Sequence, residues 1–144
     1  MTTPTDTQAI VIERHLPHPA RKVWRALTEG ALLDQWLMPG DFVPIVGHRF
    51  TLHAPSVPNW NGVTEGEVLL VEPHTRLSYR WTTTGAAGPL HTTVTWTITP
   101  DSAGVVLRLE QSGFRPQDRP NLEGATRGWS RFLQQLDLLL TRLA

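Results

Sequence analysis

Cysteine is absent from the 144 residues, which excludes disulfides and cysteine-based metal or redox chemistry. Lysine occurs once, at Lys22, and charged residues make up only 18% of the chain. Lys+Arg and Asp+Glu both number 13, so the formal net charge is zero and no basic stripe exists to neutralise phosphates. These features argue against a nucleic-acid partner. No apolar run approaches the roughly 20 residues needed to span a bilayer, which argues against membrane insertion. Met1–Gln8 is polar and Thr-rich and lacks the apolar stretch of a secretory leader. The expectation is a single cytoplasmic domain over residues 1–144, with 1–8 a disordered tail.

What is present is dominated by the segment Asn121–Leu143. Its apolar residues Leu122, Ala125, Trp129, Phe132, Leu133, Leu136, Leu140 and Leu143 recur at steps of three and four. That spacing predicts an α-helix with one broad apolar stripe, and Arg127, Arg131, Gln134, Gln135 and Arg142 fall on the opposite face. Such a helix needs a partner surface of matching length. The only candidate is the run of alternating segments from about Val46 to Phe114.

Ahead of that run, Ala9–Arg14 is β-branched and reads as a first strand. Pro17 and Pro19 turn the chain, and Ala20–Leu27 predicts a helix ended by Gly30. Ala31–Trp36 gives a second short helix, stopped by Pro39-Gly40. Val46–Leu52 predicts a strand with Val46, His48, Phe50 and Leu52 on one face. Ala54–Gly62 reads as a loop carrying Trp60. Val63–Val71 and Arg76–Thr82 follow as strands, the latter with Leu77, Tyr79 and Trp81 on one side. In Thr93–Thr99, Val94, Trp96 and Ile98 alternate with threonines, as in a sheet covered on one side only. Val105–Glu110 repeats the alternation and leads to Gln111-Ser112-Gly113-Phe114. The order β-α-α-β-β-β-β-β-α predicts an α+β fold, with a curved antiparallel sheet of about six strands around the long C-terminal helix.

Several strings carry a resemblance: Pro19-Ala20-Arg21-Lys22-Val23-Trp24-Arg25-Ala26-Leu27-Thr28, Gln35-Trp36-Leu37, Val46-Gly47-His48-Arg49-Phe50, Gly66-Glu67-Val68-Leu69, Leu77-Ser78-Tyr79-Arg80-Trp81, Thr93-Val94-Thr95-Trp96-Thr97, Ser112-Gly113-Phe114 and Gly128-Trp129. Together they resemble the START-like, Bet v 1-like helix-grip (SRPBCC) superfamily. The branch is the one named for the C-terminal domain of the heat-shock-protein-90 ATPase activator. The resemblance implies a sheet gripping the C-terminal helix, with a hydrophobic cavity between them. Members of the superfamily bind lipids, hormones or polyketides there, and a few perform chemistry.

The residues themselves offer no catalytic constellation. Gly-x-Ser-x-Gly and phosphate-binding glycine loops are absent. The six histidines lack the helical spacing or accompanying carboxylates of a metal site, so neither metal nor cofactor is expected. Glu65 and Glu67 lie two apart, on a face extrapolated to Leu69 and Val71. They read either as an acid/base pair or as solvent-facing carboxylates, the latter being the ordinary arrangement.

A pocket is the better candidate. The predicted inward faces place Phe50, Tyr79, Trp81, Trp96, Leu109, Trp129, Phe132 and Leu133 around it. Trp36, Met38 and Trp60 would frame its mouth, and Tyr79, His48 or Gln111 would orient a mostly apolar ligand. The plain alternative is that these rings close the space and form an ordinary core. Three functions compete: a binder of an apolar, aromatic or lipid-like small molecule; a cyclase-, aromatase- or hydrolase-like enzyme in the same cavity; and a co-chaperone-like interaction module. The last predicts an exposed apolar or charged patch, and the sequence displays none. Homodimerisation through a sheet edge or the Trp60 loop is compatible with all three.

Overall fold

Alternation of apolar and polar residues lets a strand bury one face and wet the other, and six segments of this chain pair into one sheet. A computed structural model describes residues 7–55, 60–85 and 88–143. The strands are β1 (Gln8–Leu16), β2 (Arg49–His53), β3 (Val63–Glu72), β4 (Arg76–Gly85), β5 (Gly88–Asp101) and β6 (Gly104–Phe114). They form one antiparallel sheet in the order β1-β6-β5-β4-β3-β2. Helices α1 (Ala20–Thr28) and α2 (Gly30–Trp36) follow β1, and α3 (Arg119–Arg142) ends the chain. The element order and the α+β helix-grip architecture are those the sequence predicts.

Helix α3 runs 24 residues and buries Trp129, Leu133, Leu136, Leu139 and Leu140 in the core, where it meets α1 and α2 as well as the sheet. Full burial of such side chains stabilises by roughly 1.5–3 kcal/mol each, which overcomes the weak intrinsic stability of an isolated helix. Leu139 joins the predicted stripe, while Leu138 points to solvent. At the other end of the core, the Trp36 indole N–H donates to the Ala26 carbonyl over 2.7 Å and ties α2 to α1.

Several details differ from the sequence reading; β4 runs on to Gly85, and β5 begins at Gly88 and extends to Asp101. Gly30 opens α2 rather than closing α1, because Glu29 caps both helices. Strand β2 starts at Arg49, not Val46. The chain turns tightly through Val43–His48, with Ile45 N–H bonded to Val43 O, His48 N–H to Ile45 O and Gly47 at φ 88°. Val46 is consequently 61% exposed. Strand β1 already includes Gln8, which pairs with Phe114, so part of the predicted tail is sheet; residues 1–6 lie outside those described. Strand β3 carries a bulge between Val68 and Leu70. The bulge leaves Leu69 exposed and returns Val71 to the inner side opposite Leu77, so Val71 does not share a face with Glu65 and Glu67.

Candidate functional site

The register lays the inward side chains in rows across the sheet. One row runs Leu52, Thr64, Thr83, Leu90; the next Phe50, Gly66, Trp81, Thr92. Then come Val68, Tyr79, Val94 and Gln111, followed by Leu77, Trp96 and Leu109. Gly66 sits under the Phe50 ring: a Cβ there would collide with Phe50 Cζ and crowd the Arg80 carbonyl. Its lack of a side chain makes room for the tip of that ring.

Above these rows the aromatic rings touch in one chain. Trp36 meets Trp96 with centroids 5.8 Å apart, Trp96 meets Trp129 at 5.6 Å, and Trp129 meets Trp81 at 5.2 Å. Trp81 stacks on Tyr79 at 5.8 Å, and Tyr79 meets Phe50 at 5.4 Å. Phe132 joins Trp129 from the helix side at 5.8 Å. Most of these contacts are edge-to-face, the geometry that aromatic quadrupoles favour.

Polar atoms inside this cluster are matched to one another. Trp129 Nε1–H donates to Gln111 Oε1 over 2.7 Å, and Gln111 Nε2 donates to Thr92 Oγ1 over 2.9 Å. The Thr92 hydroxyl donates onward to the Trp81 carbonyl over 2.8 Å. Trp96 Nε1–H donates to the Tyr79 hydroxyl oxygen over 2.8 Å. Burial pushes the Tyr79 hydroxyl well above the usual tyrosine range, and the Trp96 bond offsets only part of that. Tyr79 therefore stays neutral.

The structure brings most of the predicted site residues together. Trp36, Met38, Phe50, Tyr79, Trp81, Trp96, Leu109, Gln111, Trp129 and Leu133 are all buried. Trp36 and Met38 thus lie within the core rather than at a rim. Trp60 and Phe132 are half-buried and pack against the cluster from its margin; the Trp60 N–H donates to Val63 O over 3.0 Å. His48 stands apart from the rings in the turn before β2, its Nε2–H directed to the Asp41 carbonyl at 2.8 Å. Glu65 and Glu67 face the opposite side of the sheet. There, with Arg49, Thr51, Arg80, Thr82 and His91, they border an open groove of about 400 Å3. Glu67 lies 3.9 Å from Arg49 in that groove, and Thr82 Oγ1 lies 3.0 Å from His91 Nδ1. Side chains of both charges border it beside Phe50 and Gly66, and it lies open, unlike the enclosed sites that hold most small ligands.

Several interior residues escape the sequence reading, Leu90 among them. Phe42 contacts Phe50 and Tyr79, at 5.1 and 5.8 Å, from an irregular segment with no periodicity to reveal it. Thr92 was legible in principle, because the alternation Val94, Trp96, Ile98 extends back to it once β5 is allowed to begin earlier. Thr64 is fully buried on β3, and among the described residues its hydroxyl has no hydrogen-bond partner.

Residues 17–141 match the family model described as Activator of Hsp90 ATPase homolog 1-like protein. Among solved structures, protein MLL2253 from Mesorhizobium loti is 46% identical, with 95% of this chain and 99% of that one covered and a TM-score of 0.87. DynU16, a protein of the dynemicin biosynthetic locus, is 25% identical at a TM-score of 0.73; the match covers 96% of this chain and 48% of DynU16. CalU16 from Micromonospora echinospora, 24% identical with 97% and 81% covered, shares the fold at a TM-score of 0.75. No curated protein matches the chain. Sequence match and architecture agree: the chain belongs to the Activator of Hsp90 ATPase homolog 1-like family, on the helix-grip fold of the START-like, Bet v 1-like superfamily.

Proposed function

We propose that this protein binds a small, mainly apolar molecule, aromatic or lipid-like, between the sheet and α3, and does so in the cytoplasm. The observation that carries the reading is the pairing of two buried indole N–H groups with side chains, Tyr79 and Gln111, in the middle of an aromatic cluster. Side-chain partners, unlike backbone ones, can be exchanged for a ligand's own polar atoms as rings rotate aside. Access is favoured along α3 between Leu122 and Phe132, where Leu122, Ala125 and Phe132 are only half-buried while Leu136, Leu139 and Leu140 are sealed. The dynemicin-locus neighbour, 25% identical, comes from a biosynthetic setting, and this adds weight to small-molecule handling.

Native mass spectrometry of freshly purified protein, followed by a thermal-shift screen of apolar and aromatic compounds, tests the proposal. A co-purified mass or a saturable rise in melting temperature supports it by mass action. A bare protein indifferent to the whole panel counts against it and for a filled core.

A second reading, protein interaction, rests on a separate surface. Ile45 and Val46 are 62% and 61% exposed, and the bonds from Gly47 N–H to Val68 O and from Val68 N–H to His48 O set them beside exposed Leu69. This is an apolar patch that the sequence did not reveal. If it docks a second copy or a chaperone, Ile45→Asp with Val46→Asp abolishes the association seen by light scattering or co-elution and leaves the fold intact. Unchanged association in that double variant removes this reading.

A further inference from the structure

The inner face of the sheet is apolar for most of its length and turns polar at one end, where β2, β3 and β4 approach the Trp60 segment. Three inward positions there are threonine: Thr64, Thr83 and Thr92, with Thr64 directly opposite Thr83. The Thr92 hydroxyl is fully used, receiving Gln111 and donating to the Trp81 carbonyl. The Thr64 hydroxyl is not. Its residue is 0% exposed, and among the described residues it is the one buried side-chain polar atom with no partner. Leaving such a group unpaired costs about 1–3 kcal/mol, which valine, of nearly the same volume and equally suited to a strand, would avoid. Among the described residues nothing in the fold uses the hydroxyl.

Charge is excluded from the same space. Among the described residues, the inward positions of β2 to β6 carry no ionisable group except Tyr79, which burial keeps neutral. Glu65, Glu67, Arg80 and His91 all lie across the sheet on its solvent side. The buried carboxylate of Asp118, at the start of α3, is already engaged by the Arg115 guanidinium at 2.9 and 3.1 Å. On β1 the inward Arg14 lies opposite Leu107, beyond the row of Leu77, Trp96 and Leu109. A carboxylate or ammonium beside Trp81 would therefore meet no counter-charge from the sheet, and a buried unpaired charge is prohibitively costly.

We infer that the interior site selects uncharged, oxygen-bearing aromatic molecules and that the Thr64 hydroxyl supplies the hydrogen bond recognising that oxygen. This rests on the small-molecule reading above and narrows it to a chemical class. The body of the ligand stacks among Trp81 and its neighbours, and the oxygen is directed toward the threonine end.

Naphthalene, 2-naphthol and 2-naphthoate, titrated at neutral pH into the wild-type chain and into Thr64→Val, separate the possibilities. For wild type, 2-naphthol binds at least about fivefold more tightly than naphthalene, the worth of roughly one net hydrogen bond. It also binds more than about tenfold more tightly than 2-naphthoate. In Thr64→Val the advantage of 2-naphthol over naphthalene disappears, while the unliganded variant melts at the same temperature or higher because an unpaired hydroxyl has gone. The inference is overturned, with the binding reading intact, if naphthalene and 2-naphthol bind wild type equally. It is likewise overturned if the preference survives in Thr64→Val, or if 2-naphthoate binds as well as 2-naphthol. Should none of the three bind wild type, the small-molecule reading itself fails and this inference with it.

Discussion

Trp129 on α3 reaches across the interior to Gln111 on β6, its indole N–H 2.7 Å from the Gln111 carbonyl oxygen. This buried bond joins the long helix to the sheet with direction, where the surrounding contacts are apolar and non-directional. It fixes the rotation of α3 about its own axis and sets the Trp129 ring against Trp81 and Trp96.

Gln111→Leu strands the Trp129 N–H and removes a donor from Thr92, so stability falls by about 1–3 kcal/mol. Trp129→Phe removes the other partner and some ring volume. The double variant is less destabilised than the sum of the two, because it leaves neither group waiting for the other. A coupling energy of about 1–2 kcal/mol from urea unfolding of all four proteins is the expected result. Strict additivity would mean that the bond contributes nothing.

Tyr79 is the only tyrosine in the chain, which makes its ionisation directly observable. Its folded-state pKa lies above the unfolded value of about 10, so the stability it contributes is full below that pH and declines as the pH rises beyond it. Tyrosinate absorbance should therefore appear only as the protein unfolds in alkali, in step with loss of near-UV circular dichroism. Ionisation of a still-folded chain near pH 10 would place Tyr79 in contact with water.

Much of this architecture was legible because its signals are long and periodic. The stripe from Leu122 to Leu140 needs only the helical repeat, and Val94, Trp96 and Ile98 need only the period of two. What stayed hidden is set by pairing between distant segments. The bulge at Leu69 depends on how β3 meets β4 and leaves no mark in the local pattern, so the side taken by Val71 was misread while Glu65 and Glu67 kept their ordinary solvent-facing place. His48 was drawn into a strand by alternation that the turn at Gly47 interrupts. The aromatic membership of the interior could be read from parity, but its closeness of packing is a matter of summed volumes that no sequence period encodes.

The join between β6 and α3 carries a pH-dependent clamp. Asp118 accepts the Arg115 backbone N–H at 2.8 Å and the guanidinium at 2.9 and 3.1 Å. The Arg115 guanidinium beside it holds its carboxyl below the usual range, against the opposing effect of burial. The stabilisation is present above the unfolded carboxylate pKa of about 4 and is lost as the pH falls through the lower folded value. Since the Arg115 side chain is 54% exposed and solvent screens the pair, Asp118→Asn should cost only about 1–2 kcal/mol at neutral pH. The gap in melting temperature between wild type and variant should be constant above about pH 5 and close on acidification. A gap that persists unchanged at low pH would show that shape, not charge, holds the turn.

The first half of α3 contains two glycines, Gly124 and Gly128, in helical conformation. A Cβ built on either meets nothing within 4 Å, so neither glycine is required by close packing. Each forgoes roughly 0.5–1 kcal/mol of helix stability relative to alanine. They lie between half-buried Leu122 and Phe132, the stretch through which a ligand would enter. Replacing both by alanine should raise stability by about 1–2 kcal/mol, because alanine suits the existing backbone and restricts the unfolded chain. If this half of the helix must loosen to admit a ligand, the same substitutions slow association more than they change dissociation, since the added stability opposes the opening. Stopped-flow binding of 2-naphthol to the double variant, alongside its thermal melt, reads both quantities. A stabilised variant that binds at the wild-type rate would place the entrance elsewhere, with the Trp60 margin the next surface to probe.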